Sequence, residues 1–276
     1  MTMVLASIHI YPVKSLGGVS VPEVEVEPWG LRDDRRWLVV NPDGTVLTAR
    51  EQRRMLGVAA VSLEDGALML TGRDGSMLQV EAPVDGDFLP ILMSRLNGVR
   101  AAGREADDWL ARQLGDPVRL GWLDDPRRRT VSVDHGGLAG DPLNLADAGP
   151  LLLTTKASLV QLNSWLAEDS RKLDGEPSAP MVMGRFRPSV VVDGSDAPFV
   201  EDTWRHVQIG GVEFRFAEQC DRCVLTTIDP LTLISGKEPL RTLARHRRRD
   251  RKTWFGIRLI PVTTGKIHIG DGVSIR

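Results

Sequence analysis

The chain is poor in cysteine, with only Cys220 and Cys223 in 276 residues. That scarcity excludes a disulfide framework. It excludes a four-ligand structural zinc site, because no second pair exists and His206 and His246 lack H-x3-5-H spacing. It also excludes a plant-type [2Fe–2S] cluster, which needs four cysteines. No apolar run reaches the roughly 18 residues of a membrane span. No Gly-x-Gly-x-x-Gly opens a helix after a strand, so the chain carries no dinucleotide fingerprint. Formal charge is -2, too small to draw nucleic acid or an anionic membrane. Repeats and low-complexity tracts are absent. Met1 to Ile10 has no basic residue before its apolar stretch, which reads as a first strand and not a signal peptide. Few cysteines and no leader point to a cytoplasmic protein.

What the sequence does contain is ordinary core material, 42% hydrophobic and 26% charged, enough for one large or two modest domains. Three Asp-Gly turns, Pro42-Asp43-Gly44, Glu64-Asp65-Gly66 and Arg73-Asp74-Gly75, each separate short apolar runs. That pattern predicts hairpins. Residues 104–115 predict a helix that buries Ala106, Trp109, Leu110 and Leu114. A second helix runs from Thr155 to about Glu168, with Leu159, Leu162, Trp165 and Leu166 inward and Thr154 or Thr155 as cap. Residues 124–150 lack periodicity and read as a long functional loop. Residues 170–183 read as a polar surface loop. Strands resume at 190–192, 206–209, 212–216, 224–228, 254–262, 266–269 and 273–275, and Pro239 opens a short helix. The expected class is mainly β with a few helices (α+β). It shows no βαβ alternation, which disfavours a parallel dinucleotide fold.

Both thiols fall within four residues, with Arg222 between them. A cation favours the thiolate, and a thiolate is a soft metal donor. The following run, Val224 to Ile228, reads as a buried strand. Two readings of the pair stay open: inert packing, or one reactive thiolate.

Five segments occur in order: Ile10-Tyr-Pro-Val-Lys-Ser15, Asp34-Arg-Arg-Trp-Leu-Val-Val40, Phe186-Arg-Pro188, Glu201-Asp-Thr-Trp204 and Cys220-Asp-Arg-Cys-Val-Leu-Thr-Thr-Ile-Asp-Pro230. Together they resemble MOSC-domain proteins carrying the MOSC N-terminal β-barrel domain, the family of the amidoxime-reducing components and their bacterial relatives. The resemblance implies a MOSC-type N-terminal β-barrel domain over residues 1–122 and a MOSC β-barrel domain over 123–276. It implies a molybdenum cofactor, with or without a nucleotide, whose metal takes Cys223 as ligand. A thiolate suits molybdenum already held by a pterin dithiolene. Lys14, Ser15 and Arg35 match the residues that bind the pterin phosphate, and Gly17-Gly18 would let backbone approach it. Were 35–36 part of a strand, only one of Arg35 and Arg36 could face inward, and the motif selects Arg35. Arg187 and Arg222 would contact the pterin or the metal's oxygens, Arg222 with a share in catalysis. Asp147 and Thr155 match polar positions flanking the pocket. Ser189 stands where relatives often have Asn, so a hydrogen bond to cofactor or substrate would be lost or water-bridged. The usual Asp-Pro-x-Thr-Gly is altered to Asp229-Pro-Leu-Thr-Leu233.

The activity implied is an oxidoreductase that reduces N-hydroxylated substrates, hydroxylamines and amidoximes, by two electrons. The electrons would come from a separate ferredoxin-, flavoprotein- or cytochrome-type donor that docks near Cys223, attracted by Arg222 and Arg247. Two other readings were weighed: a non-catalytic carrier of the cofactor or of sulfur, and an interaction module. The module would use Arg127-Arg-Arg129 and Arg247-Arg-Arg-Asp-Arg251 to bind acidic partners.

Overall fold

The computed structural model describes residues 2–172 and 179–276. The expected polar loop at 170–183 includes residues 173–178, which lie outside the described residues. The first half carries β1 (Val4–Ile10), β2 (Val19–Val21), β3 (Glu23–Glu27), β4 (Gly30–Leu31), β5 (Trp37–Val40), β6 (Val46–Leu47), β7 (Ala59–Ser62), β8 (Leu68–Thr71), β9 (Met77–Val80), β10 (Phe88–Met93), β11 (Leu96–Ala101), α1 (Arg104–Leu114) and β12 (Arg119–Trp122). The second half carries β13 (Leu151–Thr155), α2 (Lys156–Lys172), β14 (Val190–Asp193), β15 (His206–Ile209), β16 (Val212–Asp221), α3 (Leu240–His246), β17 (Arg248–Arg249), β18 (Lys252–Pro261), β19 (Gly265–His268) and β20 (Val273–Ile275). The mainly-β expectation holds.

All three Asp-Gly turns close hairpins, β5–β6, β7–β8 and β8–β9. The α1 stripe is the one expected: Ala106, Trp109, Leu110 and Leu114 are buried. In α2, Leu162 and Leu166 are buried and Leu159 and Trp165 pack beside them. The Thr155 hydroxyl accepts the Ser158 N–H at 3.2 Å and so caps that helix.

The largest sheet runs β2-β1-β14-β13-β18-β16-β15-β20, with β17 on β18. The chain's first strands therefore sit among its last. Likewise β3 and β4 pair with β19. One core spans these elements, with Leu5, Ile8, Val26, Leu153, Ile257 and Ile267 fully buried. A separate five-stranded sheet, β10-β11-β12-β5-β6, and the sheet β7-β8-β9 form the other body with α1. Pro90 lies in β10, at a sheet edge where a missing N–H is tolerated.

Two expectations need correction. β13, α2 and β14 form one βαβ crossover with parallel pairing between the strands. β13 is an uninterrupted buried run, Leu-Leu-Leu-Thr-Thr, without the alternation that marks a half-exposed strand. The expected strand at 224–228 is instead a 3-10 turn, Val224–Thr227. The threonines explain it. Thr226 Oγ1 donates to Cys223 O at 3.0 Å and Thr227 Oγ1 to Val224 O at 2.8 Å. Local side-chain bonds of this kind compete with a ladder.

Candidate active site

A cleft open to solvent is lined from both halves of the chain. Lys14 and Ser15 come from the turn between β1 and β2, Arg35 from the turn after β4, and residues 146–149 from the segment before β13. Phe186 and Arg187 come from the approach to β14. Cys220 to Cys223 come from the end of β16, and Arg258 from β18.

Three of the lining residues are non-glycines with left-handed backbone: Ser15 (φ 69), Arg35 (φ 51) and Arg187 (φ 52). Each such residue costs on the order of 1–3 kcal/mol, and such strain collects where a site is preorganised. A tertiary bond holds Arg35 in place and a local turn bond holds Arg187. Arg35 N–H donates to Tyr11 O at 2.8 Å, and Arg187 N–H to Gly184 O at 3.1 Å. Arg35 thus lies in a turn and not on a strand. It still faces the cleft, while Arg36 turns away to donate to Leu123 O at 2.6 Å.

Lys14 is buried and donates to Leu145 O at 2.9 Å and to the Asp147 carboxylate. Burial lowers its pKa, and Asp147 works against that loss. The Lys14 charge in turn holds the Asp147 carboxyl well below the usual range, against its own desolvation. The Asp147 side chain is 61% exposed, so salt weakens this pair. Arg35 pairs with Asp34, whose carboxylate is fully buried and also accepts the Tyr11 N–H at 2.8 Å. Burial pushes the Asp34 pKa up, with Arg35 the main counterweight. The Tyr11 ring lies under both guanidiniums, 4.1 Å from Arg187 Cζ and 5.1 Å from Arg35 Cζ.

Arg222 donates to Cys220 Sγ at 2.8 Å and to Phe186 O at 2.7 Å. Burial lowers the Arg187 pKa to about 10, so it stays charged at neutral pH. Burial also opposes charge on Arg258, yet neighbouring Cys220, Glu218 and Asp221 outweigh it and raise its pKa. Five cations and two carboxylates line the cleft. Among the described residues, Arg187 Nη2 and Arg222 Nε are buried with no hydrogen-bond partner. A buried unmet donor costs about 1–3 kcal/mol, more on a cation. An anionic ligand in the cleft would meet both. Cys223 is exposed and Cys220 buried.

The structure therefore gathers Lys14, Ser15, Arg35, Asp147, Arg187, Arg222 and Cys223 around one cleft. Thr155 and Ser189 do not line it. Thr155 is fully buried, bonded to Ser158 at 2.8 Å and to Glu201 at 3.2 Å. Ser189 is fully buried and accepts the Leu152 N–H at 3.2 Å. Its hydroxyl ties β13 to the approach to β14, so its difference from Asn acts on the wall. Gly17 and Gly18 do not line the cleft either. A Cβ on Gly18 would lie 2.4 Å from both Ile10 O and the Tyr11 ring, so glycine there admits Tyr11.

Sequence reasoning gave no role to Tyr11, Asp34 or Arg258, and placed Arg129 only in a surface run of arginines. Tyr11 and Asp34 lie inside matched motifs, so a signal existed; Arg258 offered none. Arg129 is 2% exposed and donates to Ala146 O at 2.6 Å and Asn144 O at 2.5 Å, which fixes the segment that carries Asp147. The arginine run 127–129 is thus no free patch. Arg128 also donates to Gly98 O at 2.8 Å, and Arg127 lies over Trp29. Arg247 is spent too, on Asp202 and over the Phe199 ring at 4.2 Å, so it does not serve as a free cation for a docking partner.

The N-terminal body and the strands that close the cleft match two family profiles. Residues 2–117 match the MOSC N-terminal beta barrel domain, and residues 140–274 the MOSC domain. The chain belongs to the MOSC-domain proteins that carry this N-terminal barrel domain. It is 33% identical over 291 residues to mitochondrial amidoxime-reducing component 1 of Danio rerio, covering 98% of this chain and 84% of the relative. The Homo sapiens protein of the same name is 32% identical over 294 residues, covering 98% and 82%. A molybdenum cofactor sulfurase of Danio rerio is 28% identical over 92% of this chain, but only 31% of that relative's length is matched.

Proposed function

We propose that the cleft binds a molybdenum cofactor and that the protein reduces N-hydroxylated substrates, hydroxylamines and amidoximes, by two electrons. The observation that carries this reading is the pair of buried, unmet donors, Arg187 Nη2 and Arg222 Nε, beside an exposed thiol. Such a cleft suits a ligand with phosphate oxygens at one end and a soft metal at the other. No three His, Cys, Asp or Glu side chains gather as a metal site among the described residues. A metal would therefore take Cys223 from the protein and its other donors from an organic ligand, as a pterin dithiolene provides. The names of the amidoxime-reducing relatives support the substrate class.

The bound cofactor would supply a metal that exchanges two electrons with an N–O bond. The protein's part is binding and electrostatics. Lys14, Ser15, Arg35 and Arg187 would hold the phosphate end. Cys223 would donate its sulfur to the metal, and Arg222 would brace that end from between the cysteines. Asp147 would keep buried Lys14 charged until the anion arrives. Low cysteine content favours a cytoplasmic setting. Among the described residues no helix is long and apolar enough to cross a membrane.

The test uses protein expressed beside an intact cofactor pathway. Molybdenum and pterin should co-purify near one per chain, and reduced viologen should drive amidoxime turnover while NADH alone should not. Cys223→Ser should abolish turnover with the fold retained, and Cys220→Ser should cost much less. The reverse order would overturn the ligand assignment. Bound cofactor without any turnover would favour the carrier reading, which the sulfurase relative keeps in view.

A further inference from the structure

A column of stacked rings leads from the surface to the cleft. His246, at the exposed end of α3, stacks on Trp165 of α2 at 4.2 Å between ring centroids and 6° between planes. Trp165 stacks on Phe199 at 5.3 Å and 9°. Phe199 meets Phe255 edge-on at 6.2 Å, and Phe255 stacks on Phe186 at 4.0 Å. Phe186 lines the cleft and carries Arg222 over its ring at 5.4 Å. Phe255 and Phe186 are fully buried. Aromatic pairs gain about 0.5–1.5 kcal/mol from such geometry, which accounts for the contacts one at a time. It does not account for an unbroken path between solvent and the site.

The outer end of the path is strongly basic. Arg248, Arg249, Arg251 and Lys252 form an exposed hairpin tip directly after α3. Among the described residues Arg248, Arg251 and Lys252 have no carboxylate within ion-pair distance, and Arg249 has only Asp250 at 3.9 Å. A cluster of like charge held together on a protein of near-zero net charge is a steering surface for an acidic partner. On the proposed function substrate would enter through the open mouth of the cleft, and a donor protein seated there would block it.

Resting on the proposed function, we infer that an acidic one-electron carrier docks on the α3–β17–β18 face and delivers electrons to the cleft along the ring column. Packed contact along the column strengthens the electronic coupling between donor and cleft; its rings are not themselves reduced. Two carriers each give one electron, and solvent gives two protons. The N–O bond of R–NHOH breaks, and N–H and O–H bonds form, yielding R–NH2 and water.

The probe is an acidic plant-type ferredoxin, kept reduced by NADPH and its reductase, compared with reduced viologen, a small donor that needs no docking face. Arg248→Glu/Arg251→Glu should lower ferredoxin-driven kcat/KM tenfold or more at low salt, with viologen-driven turnover within about twofold. Phe199→Leu should lower the ferredoxin-driven kcat about tenfold without raising the KM for ferredoxin, again sparing viologen. Equal ferredoxin rates in these variants and the parent would overturn the inference, as would absent ferredoxin turnover with viologen turnover intact. Absent viologen turnover in the parent would instead overturn the proposed function and the inference with it.

Discussion

Arg35 shows how one side chain serves both cleft and fold. Its guanidinium lines the cleft, and it is also the partner of Asp34, a carboxylate with no exposure. Breaking a buried pair costs about 3–5 kcal/mol. Asp34 keeps the Tyr11 N–H, so Arg35→Ala should fall at the low end, about 3 kcal/mol near neutral pH. The pH dependence has a definite sign. Burial already holds the Asp34 pKa above the usual range, and Arg35 opposes the rise. Without Arg35 it rises further, so the folded state takes up a proton more readily than the unfolded chain. The variant's deficit should be small in acid and grow as pH rises through the carboxylate range. Denaturation at about pH 4 and about pH 7 checks this; equal deficits at both would remove Asp34 from the account. Cofactor retention should also fall, about ten- to a hundredfold for a lost charge-assisted bond of roughly 1.5–3 kcal/mol. At this scale the lining of the cleft was legible where its residues fall within a motif, as at Lys14, Arg35 and Cys223. The left-handed backbones of Ser15, Arg35 and Arg187 were not, because they run against the residues' own preference; at Arg35 a bond to Tyr11 O, distant in sequence, fixes it.

Elements were legible where period or turn chemistry is strong. The Asp-Gly hairpins and the α1 stripe follow from spacing alone. β13 was hidden because burial on both faces removes the alternation. The segment after Cys223 misled for another reason. Val-Leu-Thr-Thr-Ile has strand propensity, yet Thr226 and Thr227 bond their own backbone three residues earlier. That turn sets where Cys223 sits, because the thiol residue is its first cap. Thr227 is 3% exposed and also meets Ser235 Oγ at 3.1 Å, which ties the turn to the chain beyond Pro230. Thr227→Val keeps the volume and removes both bonds. It should cost roughly 1 kcal/mol, or about 2–4 °C in Tm. Molybdenum content should fall with it, although Thr227 does not line the cleft. A variant with lower Tm and full metal content would show that the turn stabilises the fold without positioning the thiol.

On the scale of the whole molecule, the sequence suggests a division near residues 122 and 123, and the sheets are shared across it. β1 pairs with β14, and β3 with β19, so residues 4–31 complete the core of the second half. This interleaving was not legible, since strand partners far apart in sequence leave no local pattern. It also explains why one cleft draws Lys14 and Arg35 to Cys223: β1 and β3 carry the early loops to the later barrel. A fragment of residues 123–276 would lose Leu5, Ile8, Ile10, Val24, Val26 and Leu31 from its core. Each buried side chain of this kind contributes roughly 1.5–3 kcal/mol. Six together rival the roughly 5–15 kcal/mol that holds a domain folded. The fragment alone should therefore lack a cooperative thermal transition and should aggregate through the bared edges of β14 and β19. Appending residues 2–32 after Arg276 through a flexible Gly/Ser linker should restore a cooperative transition. The join is short, because Val273 N–H already donates to Met3 O at 2.9 Å. The rescued chain lacks Arg35 and the body around α1, so it should melt cooperatively and still fail to retain pterin. Cooperative melting of residues 123–276 alone would show that the first strands decorate a self-sufficient barrel and do not complete it.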